Sequence, residues 1–196
     1  MFMKKIIPTI DAKNLVRELG ANKVQALELI REALSNAKDH SATRIYIRTS
    51  NSARNEVSIQ LLDDGQGMDE EGLAAFWGIG KSVKPDNNLR SIGYKGHGTK
   101  LFFLCHKLTV VTCADPKVGW LMTERAMPDD DPQAALLPVP LQPGSDLHKL
   151  LEKLKLIGGT GTFILIENLR FGDASTLLNR SQIESYCDWS TVIGDI

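Results

Sequence analysis

The chain has 196 residues, 42% hydrophobic and 24% charged, with a formal net charge of -1. That is an ordinary globular composition with room for one sizeable core; near-neutral charge gives no electrostatic case for a nucleic-acid or membrane partner, and no apolar run approaches the ~20 residues of a spanning helix. The start, Met1 to Pro8, is a poor signal peptide, and Cys105, Cys113 and Cys187 lack Cys-x-x-Cys spacing, which suits reduced packing cysteines in a cytoplasmic protein.

In chain order, Asp11 to Leu19 reads as a short amphipathic helix stopped by Gly20. A second helix runs from about Lys23 to Asp39, with Ala26, Leu27, Leu29, Ile30, Ala33, Leu34 and Ala37 forming a buried stripe. Thr43 to Ser50 and Glu56 to Leu62 alternate apolar and polar residues across a polar turn, the pattern of a hairpin. The second strand runs into Asp63-Asp64-Gly65-Gln66-Gly67-Met68, and Asp69 to Trp77 reads as a short helix with an acidic first turn. Gly78 to Gly98 is a long loop rich in glycine, asparagine and lysine, of the kind that is usually functional or mobile in a compact domain. Thr99 to His106 has helical character, Lys107 to Cys113 is a β-branched strand, and Gly119 to Arg125 is its return. Met127 to Gly144, with five prolines, is loop with room for one edge strand. Ser145 to Leu156 is a helix capped by Ser145, Phe163 to Ile166 a buried strand after a glycine turn, and Ser181 to Trp189 a helix. Strand pairs without crossover helices predict an α+β fold: a two-layer α/β sandwich whose mixed, mostly antiparallel sheet carries helices on one face.

Three local patterns carry chemistry. On the second helix Glu32, Asn36 and Asp39 fall at i, i+4 and i+7, so they share one ridge beside the buried stripe. A carboxylate there can polarise water as a general base. An amide oxygen one turn on can ligate a hard cation such as Mg²⁺, with Asp39 ordering its waters or the base from behind. A solvated helix face is the plainer reading of the same spacing. At the end of the second strand Asp63 is fixed in direction and can accept from an exocyclic amine. Gly65 and Gly67 let a flat ring approach the backbone, and Met68 offers it soft cover; an ordinary turn is the plainer reading of the same residues taken alone. Finally, Gly93-x-x-Gly96-x-Gly98 before a helix start exposes successive N–H groups suited to a polyphosphate, with Lys81, Lys95 and Lys100 as nearby cations. A flexible linker is the alternative. The P-loop-like Ala75 to Ser82 is set aside, because it follows a helix and runs into Pro85.

Taken in order, Glu32/Asn36/Asp39, Asp63/Gly65/Gly67 and Gly93/Gly96/Gly98 resemble the motifs of the GHKL ATPase superfamily: gyrase, the ninety-kilodalton heat-shock chaperone, histidine kinases and MutL. Gly161-Thr162 resembles that family's entry to a central strand, Gly80-Lys81-Ser82 its lid start, and Ile92 to Lys100 the lids of chaperone-like and MORC-like members. The resemblance implies the Bergerat fold, with ATP and Mg between sheet and lid. It implies that Glu32 activates water, Asn36 holds Mg, Asp63 reads adenine and Thr162 supports Asp63. Lys81, Gly93, Tyr94, Lys95, Gly96, His97, Gly98, Thr99 and Lys100 then belong to the phosphate-holding lid. Histidine kinases generally lack the glutamate at this position, so Glu32 favours the hydrolysing branch.

The implied function is a Mg-dependent ATPase whose ATP-ordered lid promotes homodimerisation within a larger protein. The alternative is a non-hydrolysing nucleotide sensor or a protein-kinase-like module. Residues 1–175 are expected to form the ATP-binding domain. Residues 176–196 are expected to be a helical segment leading to a downstream domain, the source in several such families of a lysine that reaches the γ-phosphate. No membrane association is expected, and a nucleic-acid role is left open.

Overall fold

The alternation read in the strands closes into one sheet. The computed structural model describes residues 14, 18, 25–78, 98–130 and 137–190, with side chains to residue 187. The expected first helix falls almost wholly outside these residues. The strands are β1 (Ile45–Asn51), β2 (Val57–Asp63), β3 (Cys105–Cys113), β4 (Leu121–Ala126), β5 (Val139–Pro140) and β6 (Gly161–Leu169). They form a six-stranded sheet in the order β1-β2-β6-β3-β4-β5. Every described pairing is antiparallel. The α+β fold expected from the sequence is therefore present, with the described pairings all antiparallel rather than mixed and one short helix, Asp146–Lys153, on the face opposite the others.

Parity decides which side chains reach which layer. Val57, Ile59 and Leu61 of β2, Leu108 and Val110 of β3, and Ile166 of β6 enter the main core. They meet helix α1 (Glu28–Asp39), helix α2 (Glu70–Trp77) and the 3-10 turn Gly98–Phe103. On α1, Leu29 and Ile30 are fully buried; removing such side chains from water contributes about 1.5–3 kcal/mol each. The opposite face carries Leu62, Val111 and Phe163, covered in part by Leu151 of helix α3 (Asp146–Lys153).

Local chemistry sets the helix ends. Asp69 accepts from the Gly72 N–H at 2.8 Å and Ser145 from the His148 N–H at 3.2 Å, so both act as N-caps. Helix α1 has no side-chain cap of its own. The Asp173 carboxylate reaches across the fold to accept from the Ala26 N–H just before it. The last helix, α4 (Arg180–Ser190), packs on α1, where the Tyr186 hydroxyl donates to Glu28 Oε1 at 2.5 Å.

The expected helix at Thr99 to His106 is corrected. Residues 98–103 form a 3-10 turn, and β3 already begins at Cys105. The apolar run Leu101 to Leu104 is too short for its periodicity to separate helix from strand. Here Phe102 and Phe103 fill the core beneath α1 beside Phe76 and Trp77.

Candidate functional site

Register brings the sequence signals to one face of the sheet. Asp63 ends β2 and pairs with Thr162 of β6, which pairs in turn with Thr112 of β3. All three have the parity of the residues that face α1, so they form a row beneath that helix.

The turn after Asp63 is held from several sides. Asp63 Oδ1 accepts the Gly65 N–H at 2.9 Å. The Gln66 N–H donates to the His40 carbonyl at 2.9 Å, tying the turn to the end of α1. Thr160 Oγ1 donates to the Gly65 carbonyl at 2.7 Å, and the Met68 N–H donates to Thr112 Oγ1 at 2.7 Å. Gly67 needs to be glycine: its φ is +67°, and a Cβ there would lie 2.0 Å from the Cys113 carbonyl oxygen.

The two adjacent aspartates have different work. Asp64 accepts from the backbone and side chains of Thr43 and Arg44 at 2.7–3.0 Å, clamping the start of β1. Burial pushes its carboxyl up, but those hydrogen bonds outweigh it and hold the group well below the usual carboxylate range. Asp63 has fewer donors, so burial prevails and brings its carboxyl up to about 6, against hydrogen bonds from Gly65 and Thr162. A strand-end carboxylate with that much desolvation is suited to a polar ligand group rather than to structural pairing.

The other half of the site lies on α1. Glu32 is buried, and its Oε1 accepts from Asn36 Nδ2 at 3.0 Å. That bond turns the amide nitrogen toward the glutamate and the carbonyl oxygen away from it. Asp39 is half-buried at the last turn of α1. Gly98 lies directly on Glu32: a Cβ there would be 1.9 Å from its Oε2. Thr99, beside it in the 3-10 turn, is half-buried.

Lys100 is only 1% exposed. Its ammonium donates to the Phe76 carbonyl and lies 4.9 Å from the centre of the Phe103 ring. Burial lowers it to about 7, against the attraction of Glu32. In this structure it is thus a core cation near Glu32 rather than an exposed one.

The residues divide accordingly. The structure brings together Asp63, Gly65, Gly67, Met68 and Thr162 at the sheet, and Glu32, Asn36, Gly98 and Lys100 at the helix. Lys81, Gly93, Tyr94, Lys95, Gly96 and His97 lie outside the described residues. Thr112 and Thr160 were not foreseen. In sequence each is an unremarkable threonine near a strand, and only register shows what its hydroxyl meets.

Among the described residues no group of three or more His, Cys, Asp or Glu is arranged as a metal cage. A cation at this site would rest on the Asn36 oxygen and ligands from outside the protein, the habit of Mg²⁺ with phosphates. No helix among the described residues is long and apolar enough to cross a membrane.

Comparison with known proteins bears on the family and the fold. A family described as histidine kinase-, DNA gyrase B-, and HSP90-like ATPase matches residues 25–154. The chain is 26% identical over 171 residues to the human MORC family CW-type zinc finger protein 1, covering 71% of this chain and 17% of that protein. It is 31% identical over 111 residues to the DNA mismatch repair protein MutL of Staphylococcus epidermidis, covering 50% and 17% respectively. It thus spans about a fifth or less of the length of these relatives. Among solved structures it resembles the ATPase and transducer domains of DNA topoisomerase II from Balamuthia mandrillaris, with a TM-score of 0.50 and 20% identity over 76% of this chain and 38% of that one.

Proposed function

Because the chain belongs to the family of histidine kinase-, DNA gyrase B- and HSP90-like ATPases, we propose that it binds ATP with Mg²⁺ and hydrolyses it as a conformational switch. The observation that carries this reading is the hydrogen-bonded Glu32–Asn36 pair on a buried helix, on the same face of the sheet as the strand-end carboxylate of Asp63.

In this reading Asp63 accepts from the exocyclic amine of adenine, while Gly65 and Gly67 give the ring access to the backbone and Met68 covers it. Glu32 takes the proton of the attacking water at a carboxylate oxygen, and Asn36 holds that carboxylate in direction through its Nδ2. Asn36 Oδ1 is the atom that would hold Mg²⁺, which supplies charge neutralisation of the phosphates when bound. Asp39 orders the surrounding waters. Gly98 leaves the space that the Glu32 carboxylate needs. Lys81 and residues 93–97, together with Thr99, would close over the phosphates as a lid. Thr162 stands beside Asp63 as its support.

The wider reading is an ATP-driven cycle of lid closure and homodimerisation within a larger protein, with residues 1–175 as the nucleotide domain and 176–196 as a connection onward. A downstream domain of that protein would complete the phosphate site.

Titration of the chain with ATP, ADP and GTP, with and without Mg²⁺, tests base choice and metal dependence together. Tight ATP binding that needs Mg²⁺ only for the phosphates is the expected result. Glu32→Ala should keep ATP binding while hydrolysis falls about 10²–10⁴-fold. A wild-type protein that binds ATP and never turns it over, even when linked to its further domains, would make the chain a nucleotide sensor instead.

A further inference from the structure

The row Asp63, Thr162, Thr112 contains a hydrogen-bond constraint that can be solved. A threonine hydroxyl has one proton and two lone pairs. Thr112 is wholly buried, so all three must be satisfied within the protein. The Met68 N–H, 2.7 Å away, can only donate, and it occupies one lone pair. The Gly161 carbonyl, 3.1 Å away, can only accept, and it takes the proton. The third neighbour is Thr162 Oγ1 at 3.3 Å. Thr112 has only a lone pair left to offer it, so Thr162 must point its own proton at Thr112. The half-buried Thr162 then turns lone pairs alone toward the space beside Asp63.

We propose that Thr112 is a specificity-determining residue. By fixing Thr162 as an acceptor next to the Asp63 carboxylate, it makes the floor of the base pocket accept hydrogen bonds only. Such a floor takes a purine that carries an amine at position 6 and rejects one that carries an oxo group there. A 6-oxo purine would place its carbonyl against two acceptors and leave buried polar atoms unpaired, which is the strongest form of rejection a pocket can build. Thr112 does this without touching the base. Were it absent, the Thr162 hydroxyl could rotate and donate to the oxo group. The proposal rests on the reading of Asp63 as the base-recognising carboxylate.

The test is calorimetric titration of the full chain with ATP and with ITP, which replaces the 6-amine by an oxo group. Wild type is expected to prefer ATP by about a hundredfold or more. Thr112→Val should lower the ATP:ITP affinity ratio by about tenfold, and Thr112→Ser, which keeps the hydroxyl, should restore it. Thr112→Val also frees the Met68 N–H and loosens the turn, but loosening alone weakens both nucleotides equally and leaves the ratio unchanged. An unchanged ratio therefore overturns the proposal while the ATP-binding reading stands. If Thr112→Val does not fold, Thr162→Val removes the acceptor itself and should narrow the ratio likewise; a wild-type ratio in that variant overturns the proposal. Equal wild-type affinity for ATP and ITP overturns it together with the reading of Asp63.

Discussion

The two ends of the site are built on different principles. At the sheet end, Asp63, Thr162 and Thr112 sit on three adjacent strands, and the turn after Asp63 is bonded to α1, β3 and the entry to β6. At the helix end, Glu32 and Asn36 are joined by one side-chain bond, and the 3-10 turn that begins at Gly98 packs against them. Two glycines expose the difference. A Cβ on Gly67 would meet the backbone carbonyl of Cys113, which belongs to a central strand and cannot yield. The atoms nearest a Cβ on Gly98 would be those of the Glu32 carboxylate, the far end of a side chain. The sheet end is held by backbone, the helix end by side chains.

The largest expected effect separates those two properties. Gly98→Ala displaces the Glu32 carboxylate, so ATP hydrolysis should fall about 10²-fold or more, the usual cost of misplacing a reacting group by an ångström. ATP affinity should change little, and the melting temperature should fall less than for a clash with backbone, because the atoms displaced are the end of a side chain. Steady-state turnover beside a binding isotherm decides it; unchanged turnover would show that Glu32 is not held by this contact. Gly67→Ala should do the reverse. Positive φ and a backbone clash together should cost about 2–4 kcal/mol of folding stability, read by denaturant titration, with ATP binding lost alongside.

How far the sequence reached follows the same division. Spacing on one helix placed Glu32, Asn36 and Asp39 together, because a 3.6-residue period is local information. Asp63 at a strand end was equally local, and the hairpin of β1 and β2 announced itself by alternation. The Asp63–Thr162–Thr112 row depends on β6 lying between β2 and β3, a pairing across about a hundred residues of chain. Resemblance supplied Thr162, but nothing marked Thr112, which reads as one more β-branched strand former. The 3-10 turn was missed for a related reason: Leu101 to Leu104 is apolar throughout, so only its tertiary neighbours decide its form. Lys100 was read as a cation for phosphates, yet aromatic rings and the Phe76 carbonyl enclose it.

That enclosure gives the next effect in size. The Lys100 ammonium is held near 7 in the folded protein by burial, against about 10.4 when unfolded. Between those values the unfolded chain binds the extra proton, so stability should rise with pH from about 7 to about 10 and be lowest below 7. Lys100→Met abolishes the titration, so its stability should exceed wild type most below pH 7, with the gap closing as pH rises. Urea titrations of both proteins at pH 6, 7.5 and 9 measure it. A gap independent of pH would mean that the ammonium keeps its ordinary affinity for the proton in the fold.

The smallest effect belongs to the sheet end and has opposite signs for folding and for binding. Burial raises the Asp63 carboxyl to about 6, against about 3.9 in the unfolded chain. The folded protein therefore holds this proton more tightly, and the Asp63 contribution favours folding below about pH 4 and is lost as pH rises through about 6. Adenine recognition asks for the ionised form, since a protonated carboxyl has a donor where the amine needs an acceptor. ATP affinity should accordingly be about tenfold weaker at pH 5, where only about a tenth of Asp63 remains ionised, than at pH 7. ITP should lose less or gain, because the new proton can meet its oxo group. Asp63→Asn mimics the neutral carboxyl and should flatten the profile of ATP affinity at its weak, low-pH level. A wild-type ATP affinity that stays constant from pH 5 to 7 would place the base somewhere other than against Asp63.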